Sequence, residues 1–161
     1  MTDVGDPLTQ ALHPGVAGNT GGDGCGVIVT DDGSTHSTVS VTNTILAGHT
    51  VGISITADST ATLDGTLWGS NSWANGTDWG GDGTIVTGTV NIWGDPAFVN
   101  PDGGDYDIGP DSAARNAGVS SGVNDDIDGH TRPKEGGYDI GAYEFGQQWD
   151  VFLPLVAKNT P

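Results

Sequence analysis

Asp125, Asp126 and Asp128, followed by Gly129, set carboxylates at alternating spacing ahead of a glycine. Such a loop can wrap a hard cation, and calcium is the ion it points to. The bidentate glutamate expected later in a calcium loop is missing, and Asp102, Asp105 and Asp107 form a second acidic cluster upstream. A competing reading makes the Asp-Gly pairs plain turns, with Asp126 or Asp139 pairing to Arg132.

Asp32 and Asp58 suggest another chemistry. The repeat described below stacks them, and two carboxylates about 5 Å apart can serve a retaining glycosidase. One would stay protonated because of its neighbour's charge. A lyase acting on uronates needs a basic proton acceptor instead, and the chain offers only Arg115, Arg132, Lys134 and Lys158. His13, His36, His49 and His130 are scattered and form no nucleophile–base constellation.

Tryptophan is the third signal. Trp68, Trp73, Trp79 and Trp93 fall within 26 residues. Trp73 and Trp79 lie in a polar, glycine-rich loop with Asn71 and Asn75, which predicts exposed rings. An aromatic face beside amides is how proteins hold sugars. The alternative is that the loop folds over one side and buries both rings. Trp68 and Trp93 follow Leu67 and Ile92, which are expected to point inward, so both tryptophans are expected outward and stacked on each other.

The elements that must position these residues are short strands. Glycine numbers 28, the apolar fraction is 34 %, and aspartate outnumbers glutamate heavily, a composition rich in turns and poor in helix formers. Length suits one domain. The formal charge of −17 leaves no basic patch for nucleic acid or anionic membrane and disfavours anionic polysaccharides unless calcium bridges them. Cys25 is the single cysteine, so no disulfide framework exists. No segment reaches the length of a membrane span. Met1 to Pro7 lacks signal-peptide features, so the expectation is a removed leader or the end of a longer reading frame.

Repeats govern the fold. Gly26-Val27-Ile28-Val29-Thr30 resembles Gly52-Ile53-Ser54-Ile55-Thr56 at an offset of 26. The run Ser37 to Leu46 resembles Ser59 to Trp68 at an offset of 22, and Leu67-Trp68-Gly69 recurs as Ile92-Trp93-Gly94 at an offset of 25. Within each unit, apolar and small polar residues alternate in strands of about three to five residues. This predicts an all-β fold: a single right-handed parallel β-helix of about three to four coils, with Val29 under Ile55, Val41 under Leu63, and Ile45 under Leu67 and Ile92. A β-sandwich is the competitor. Residues 1–25 form an N-terminal loop or incomplete first coil, with one helical turn considered over Pro7–Leu12. Residues 26–93 form the coils, 94–146 an irregular C-terminal cap, and 147–161 an apolar tail strand.

The cap carries a resemblance. Asp95-Pro96-Ala97-Phe98-Val99, Gly104 to Gly118, Asp126 to Pro133 and Tyr138-Asp139-Ile140-Gly141-Ala142-Tyr143-Glu144 together resemble the choice-of-anchor Q domain. That domain ends bacterial parallel β-helix proteins with pectate-lyase-like or polymorphic-membrane-protein-like repeats. The chain departs from the family string at Ala113, Arg115 and Asn116. The resemblance implies export and display at the cell surface, and no defined reaction.

The run Trp149 to Lys158 is the most apolar in the chain. Three readings stand: an extra strand on its own fold, a sorting or anchoring signal, or a strand added to a neighbouring subunit. The last would give end-to-end self-association. The leading expectation is a non-catalytic extracellular display or adhesion module that binds polysaccharide through Trp73 and Trp79. A polysaccharide hydrolase or lyase using Asp32 and Asp58, and a filament subunit, are the alternatives.

Overall fold

A computed structural model describes residues 11–12, 15–17, 24–31, 33–34 and 36–146. The protein is all-β with parallel sheets. In chain order the strands are β1 (Ala11–Leu12), β2 (Gly15–Ala17), β3 (Cys25–Val29), β4 (Thr38–Ala47), β5 (Val51–Ile55), β6 (Thr60–Gly69), β7 (Thr77–Gly80), β8 (Thr84–Thr87), β9 (Asn91–Gly94), β10 (Phe98–Asn100) and β11 (Asp105–Ile108). Among the described residues, helical geometry is confined to two 3-10 turns, Asn71–Trp73 and Pro101–Gly103. The first helical turn considered for Pro7–Leu12 is not formed at its described end. Ala11 and Leu12 are extended, paired in parallel with Ser40 and Val41.

The chain alternates between two parallel sheets. β3, β5 and β7 form one, and β4, β6, β8 and β9 belong to the other, where β1 and β2 also pair with β4. The expected neighbours are all in register: Val29 with Ile55, Val41 with Leu63, Ile45 with Leu67, and Leu67 with Ile92. Alternation of apolar and polar residues sets this register, because a slip of one residue would turn each strand's apolar set to the wrong face.

Two strands are longer than the sequence suggested. β4 and β6 each run for ten residues, through a bend at Asn43 and at Gly65. Both bend residues have left-handed backbone, with φ of 48° and 67°. Gly65 has a second reason to be glycine: a Cβ there would collide with Oδ1 of Asn43. The bend resets which side chains face inward. Before it Val41 and Leu63 point into the inner core; after it Leu46 and Trp68 do so, with Val29, Ile53, Ile55 and Ala61. Ile45 and Leu67 turn to the opposite face, where they meet Ile108, Ala114 and Ile140.

This corrects one expectation. Trp68 is not outward-facing but buried, 2 % exposed. Strict alternation from Leu67 misplaced it, because the inward count restarts at the bend. Trp68 and Trp93 are nevertheless register partners across β6 and β9.

The same corner explains the unequal repeat. Between β8 and β9 the chain has three residues, Gly88, Thr89 and Val90, where β6 has two, Asp64 and Gly65, and the Asp64 carboxylate gathers them. Its Oδ1 accepts hydrogen bonds from the Thr89 and Val90 amides at 2.9 and 3.0 Å.

Residues 94–146 lie along the outer face of the second sheet. Asn43, in β4, donates from Nδ2 to the Val119 carbonyl at 2.7 Å and accepts from the Val119 amide at 2.8 Å. The Gly141 amide donates to the Asn43 carbonyl. With Ile45 and Leu67 covered by this segment, the contacts found for it are lateral, against the flank of the strands. The apolar tail, residues 147–161, is outside the described residues.

Candidate functional site

Two of the inward columns end in tryptophan and a third in threonine. Val27 pairs with Ile53, and Ile53 with Trp79. Leu46 pairs with Trp68, and Trp68 with Trp93. Val41 pairs with Leu63, and Leu63 with Thr87. Nothing among the described strands follows β7, β8 and β9 in their sheets. The last inward residues therefore line a cleft of ≈ 270 Å³ rather than a filled core. Trp79, Ile85, Thr87, Asn91 and Trp93 form its walls, above Leu63 and Trp68.

Trp79 and Trp93 are 51 % and 57 % exposed, far more than the buried Trp68 beneath them. The Trp79 and Trp68 rings lie 5.7 Å apart, tilted by 58°. Trp93 is held by a hydrogen bond from its Nε1 to Oδ2 of Asp78 at 2.7 Å. Oδ1 of Asp78 in turn accepts from Nδ2 of Asn75 at 3.0 Å. A rigid exposed indole, fixed by its polar edge, is a low-entropy contact surface for an apolar ligand face. Asn91 adds a carbonyl oxygen, Oδ1, that is buried with no hydrogen-bond partner in the structure.

The predicted sugar-binding loop is thus divided. Trp79 belongs to the cleft. Trp73 is half-buried against the outer core, edge-on to Phe98 at 5.1 Å, so it does not share a face with Trp79. The physical reason lies in the turn: the Trp73 carbonyl accepts the Gly48 amide, which clamps the loop against the strand above. Asn75 is committed to structure, accepting from the His49 amide at 3.0 Å and donating to the Leu46 carbonyl at 3.0 Å. Asn71 is exposed in the 3-10 turn, away from the cleft lining. Trp93, expected outward in a patch with this loop though outside the named sugar-binding residues, lines the cleft with Trp79. Its signal was the register with Trp68, once the bend is known.

Asp32 lies outside the described residues. Asp58 is exposed in the turn before β6, in left-handed backbone with φ of 64°. Thr56 beside it is taken by Asp31, whose amide donates to Thr56 Oγ1 at 3.1 Å.

For Asp125, Asp126 and Asp128, the turn reading holds. Asp126 is buried; its Oδ1 accepts the Asp128 and His130 amides at 3.0 and 2.8 Å, and its Oδ2 accepts the Glu144 amide at 3.2 Å. A carboxylate so committed to backbone donors is a poor cation ligand. Among the described residues, no three His, Cys, Asp or Glu side chains are grouped to hold a metal ion.

Arg132 has a different partner from the one expected. Its Nε donates to Oε1 of Glu144 at 2.7 Å, and both side chains are buried. Its other nitrogens donate to the Gly141 and Asp139 carbonyls. Asp139 meets Arg132 through that carbonyl, while its carboxylate accepts the Asn116 and Phe145 amides at 2.6 and 2.5 Å. Burial nonetheless pushes the Asp139 carboxyl above the usual carboxylate range. These motif residues knot the segment together.

The two acidic clusters do converge. Burial raises the Asp107 carboxyl, and Asp105, Asp128 and Asp126 add to the rise; His130 opposes it. Tyr143 is raised by burial and by the same four aspartates.

No helix among the described residues is long and apolar enough to cross a membrane. Compared with family models, curated proteins and solved structures, the chain matches none.

Proposed function

We propose that the chain is a non-catalytic module of an extracellular bacterial surface protein that binds neutral polysaccharide. The observation that carries this reading is the cleft bounded by Trp79 and Trp93. Two exposed indoles line a cleft of ≈ 270 Å³, and their faces suit the apolar C–H side of a pyranose. Thr87 and Asn91 add polar side chains to the lining, and Asp78 fixes the Trp93 edge. The charge of −17 favours neutral glycans over anionic ones.

The architecture proposed is a right-handed parallel β-helix of about three to four coils. Its support is the regular alternation between two parallel sheets with inward columns in register. Residues 94–146 are proposed to be a choice-of-anchor Q-like segment, on the motif order already quoted, and the buried Arg132–Glu144 pair gives those motifs a physical role. Surface display and export rest on that resemblance.

The test is sedimentation with insoluble neutral and acidic polysaccharides. The full chain is expected to pellet with at least one neutral polymer and release no sugar. Trp79→Ala and Trp93→Ala are expected to stay in the supernatant while keeping the parent's circular dichroism. Sugar release would overturn the non-catalytic reading, and equal pelleting by both variants would overturn the cleft.

A second reading is favoured by the open sheet edges. β7, β8 and β9 each have one strand partner among the described strands, and unpaired edges recruit strands from other chains. The tail from Trp149 to Lys158 would be the added strand, giving end-to-end assembly. Loss of large species in gel filtration on deleting residues 149–161 would support it; a monomeric full chain would sink it.

A further inference from the structure

A second concavity opens between Ile45 of β4 and the C-terminal segment, far in chemistry from the tryptophan cleft. Phe98, Tyr106 and Tyr143 contribute its aromatic lining, with Ile108, Ile127 and Ala142 completing an almost wholly apolar wall around ≈ 170 Å³. Phe98 and Tyr106 meet edge to face at 5.2 Å. Ile127 is 66 % exposed, an apolar side chain left at the rim.

An adjoining hollow shares Ile108 and Tyr143 with the first and carries Asp105 and Asp107. Ile127 at the rim stands between Asp126 and Asp128 in the chain. An aromatic wall therefore opens beside the Asp105 and Asp107 carboxylates, with exposed Asp128 next to the rim residue in the chain, while the Asp126 carboxylate is turned into its backbone amides. Arg115 pairs with Glu135 and covers the Phe145 ring, Arg132 is buried against Glu144, and His130 lies 3.3 Å from the Asp126 carboxylate.

We propose that this concavity binds an organic ammonium group, either a quaternary ammonium or the methylated end of an amine. The faces of aromatic rings carry negative potential and attract such cations within about 6 Å of the ring centre. The methyl groups satisfy the apolar wall, and the charge is met by the aspartates. A bare inorganic cation would find oxygen at the tyrosine hydroxyls and the neighbouring aspartates but would leave the apolar wall unfilled. A neutral apolar ligand would leave the carboxylates' repulsion unrelieved. Asp107 and Tyr143 are both raised, by burial first and by the neighbouring aspartates after it. The site is independent of the glycan reading, since it shares no residue with the tryptophan cleft.

The probe is choline, titrated by NMR into the full chain, with its uncharged carbon analogue 3,3-dimethylbutan-1-ol and calcium chloride as separate arms. Choline is expected to shift the Tyr106 and Tyr143 ring signals saturably, and the uncharged analogue to bind about tenfold more weakly or not at all. Asp107→Asn keeps the shape and removes a charge, so it is expected to weaken choline by about fivefold. Tyr106→Leu keeps an apolar wall and removes a π face, with a similar expected loss. Trp79→Ala is expected to leave choline binding unchanged, which separates this site from the glycan cleft. Equal binding of choline and its carbon analogue, tighter binding of calcium than choline at these rings, or no saturable shift with choline would each overturn the proposal. If Tyr106→Leu fails to fold, Asp107→Asn alone decides: undiminished choline affinity in that variant contradicts it.

Discussion

Asn43 and Val119 exchange two hydrogen bonds across 76 residues of chain: Asn43 Nδ2 to the Val119 carbonyl, and the Val119 amide to Asn43 Oδ1. Asn43 is fully buried and sits at the bend of β4 in left-handed backbone. One amide side chain thus does two jobs. It allows the strand to turn, and it fastens the C-terminal segment to the flank of the sheet.

The two jobs can be separated. Asn43→Gly keeps the backbone freedom and loses both side-chain bonds, leaving the Val119 groups unpaired. It is expected to cost about 2–4 kcal/mol. Asn43→Ala loses the bonds and adds strain at positive φ, so it should cost about 1 kcal/mol more. Urea denaturation of the two variants checks the order. An alanine variant as stable as the glycine variant would contradict the role of the backbone.

Removing half of the Arg132–Glu144 pair should be severe. Arg132→Met leaves Glu144 as a buried charge, with an expected loss of about 3–5 kcal/mol. Glu144→Gln also loses the charge pair and keeps one acceptor oxygen where two now serve the Lys134 and Asp139 amides, at 3.0 Å each, so one amide would face a donor. It leaves Arg132 as a buried charge and should cost a similar amount. A double-mutant cycle by urea denaturation measures the coupling, and a coupling near zero would contradict a direct pair.

Acid should stabilise this protein modestly before it harms it. Burial raises the Asp107 and Asp139 carboxyls, and neighbouring aspartates add to the rise at Asp107. A carboxyl raised in the folded state binds its proton more tightly there than in the unfolded chain. Its contribution is fully present below the unfolded value and is lost as pH rises through the folded one. Melting temperature is therefore expected to rise on going from pH 7 down toward 5 at fixed ionic strength. Asp107→Asn should reduce that slope and raise the melting temperature at pH 7. A melting temperature that falls steadily over this range, with the same slope in Asp107→Asn, would contradict the assignment.

Much of the frame was legible in the sequence because it rests on alternation. Val41 with Leu63, and Ile45 with Leu67 and Ile92, could be paired by matching strings, since apolar columns repeat wherever strands stack. What failed was local. Nothing in the letters around Asn43 and Gly65 announces that the inward count restarts there, so Trp68 was placed on the wrong face. The candidate site suffered the same way. Trp79 was found because it stands in a polar loop, while Trp73 in that loop is drawn into the outer core by Phe98, a residue 25 positions on. Asp126 looked like a cation ligand because spacing alone does not reveal that three backbone amides already occupy its oxygens. Arg132 was expected beside an aspartate, and its partner Glu144 emerges only when the segment is folded on itself.

The most direct measurement follows the tryptophan indole N–H signals by NMR while soluble neutral oligosaccharides are added. The account predicts saturable shifts at Trp79 and Trp93, with Trp73 unmoved. Shifts at Trp73 without Trp79 and Trp93, or no shift at any indole across the panel, would contradict a glycan site in the cleft.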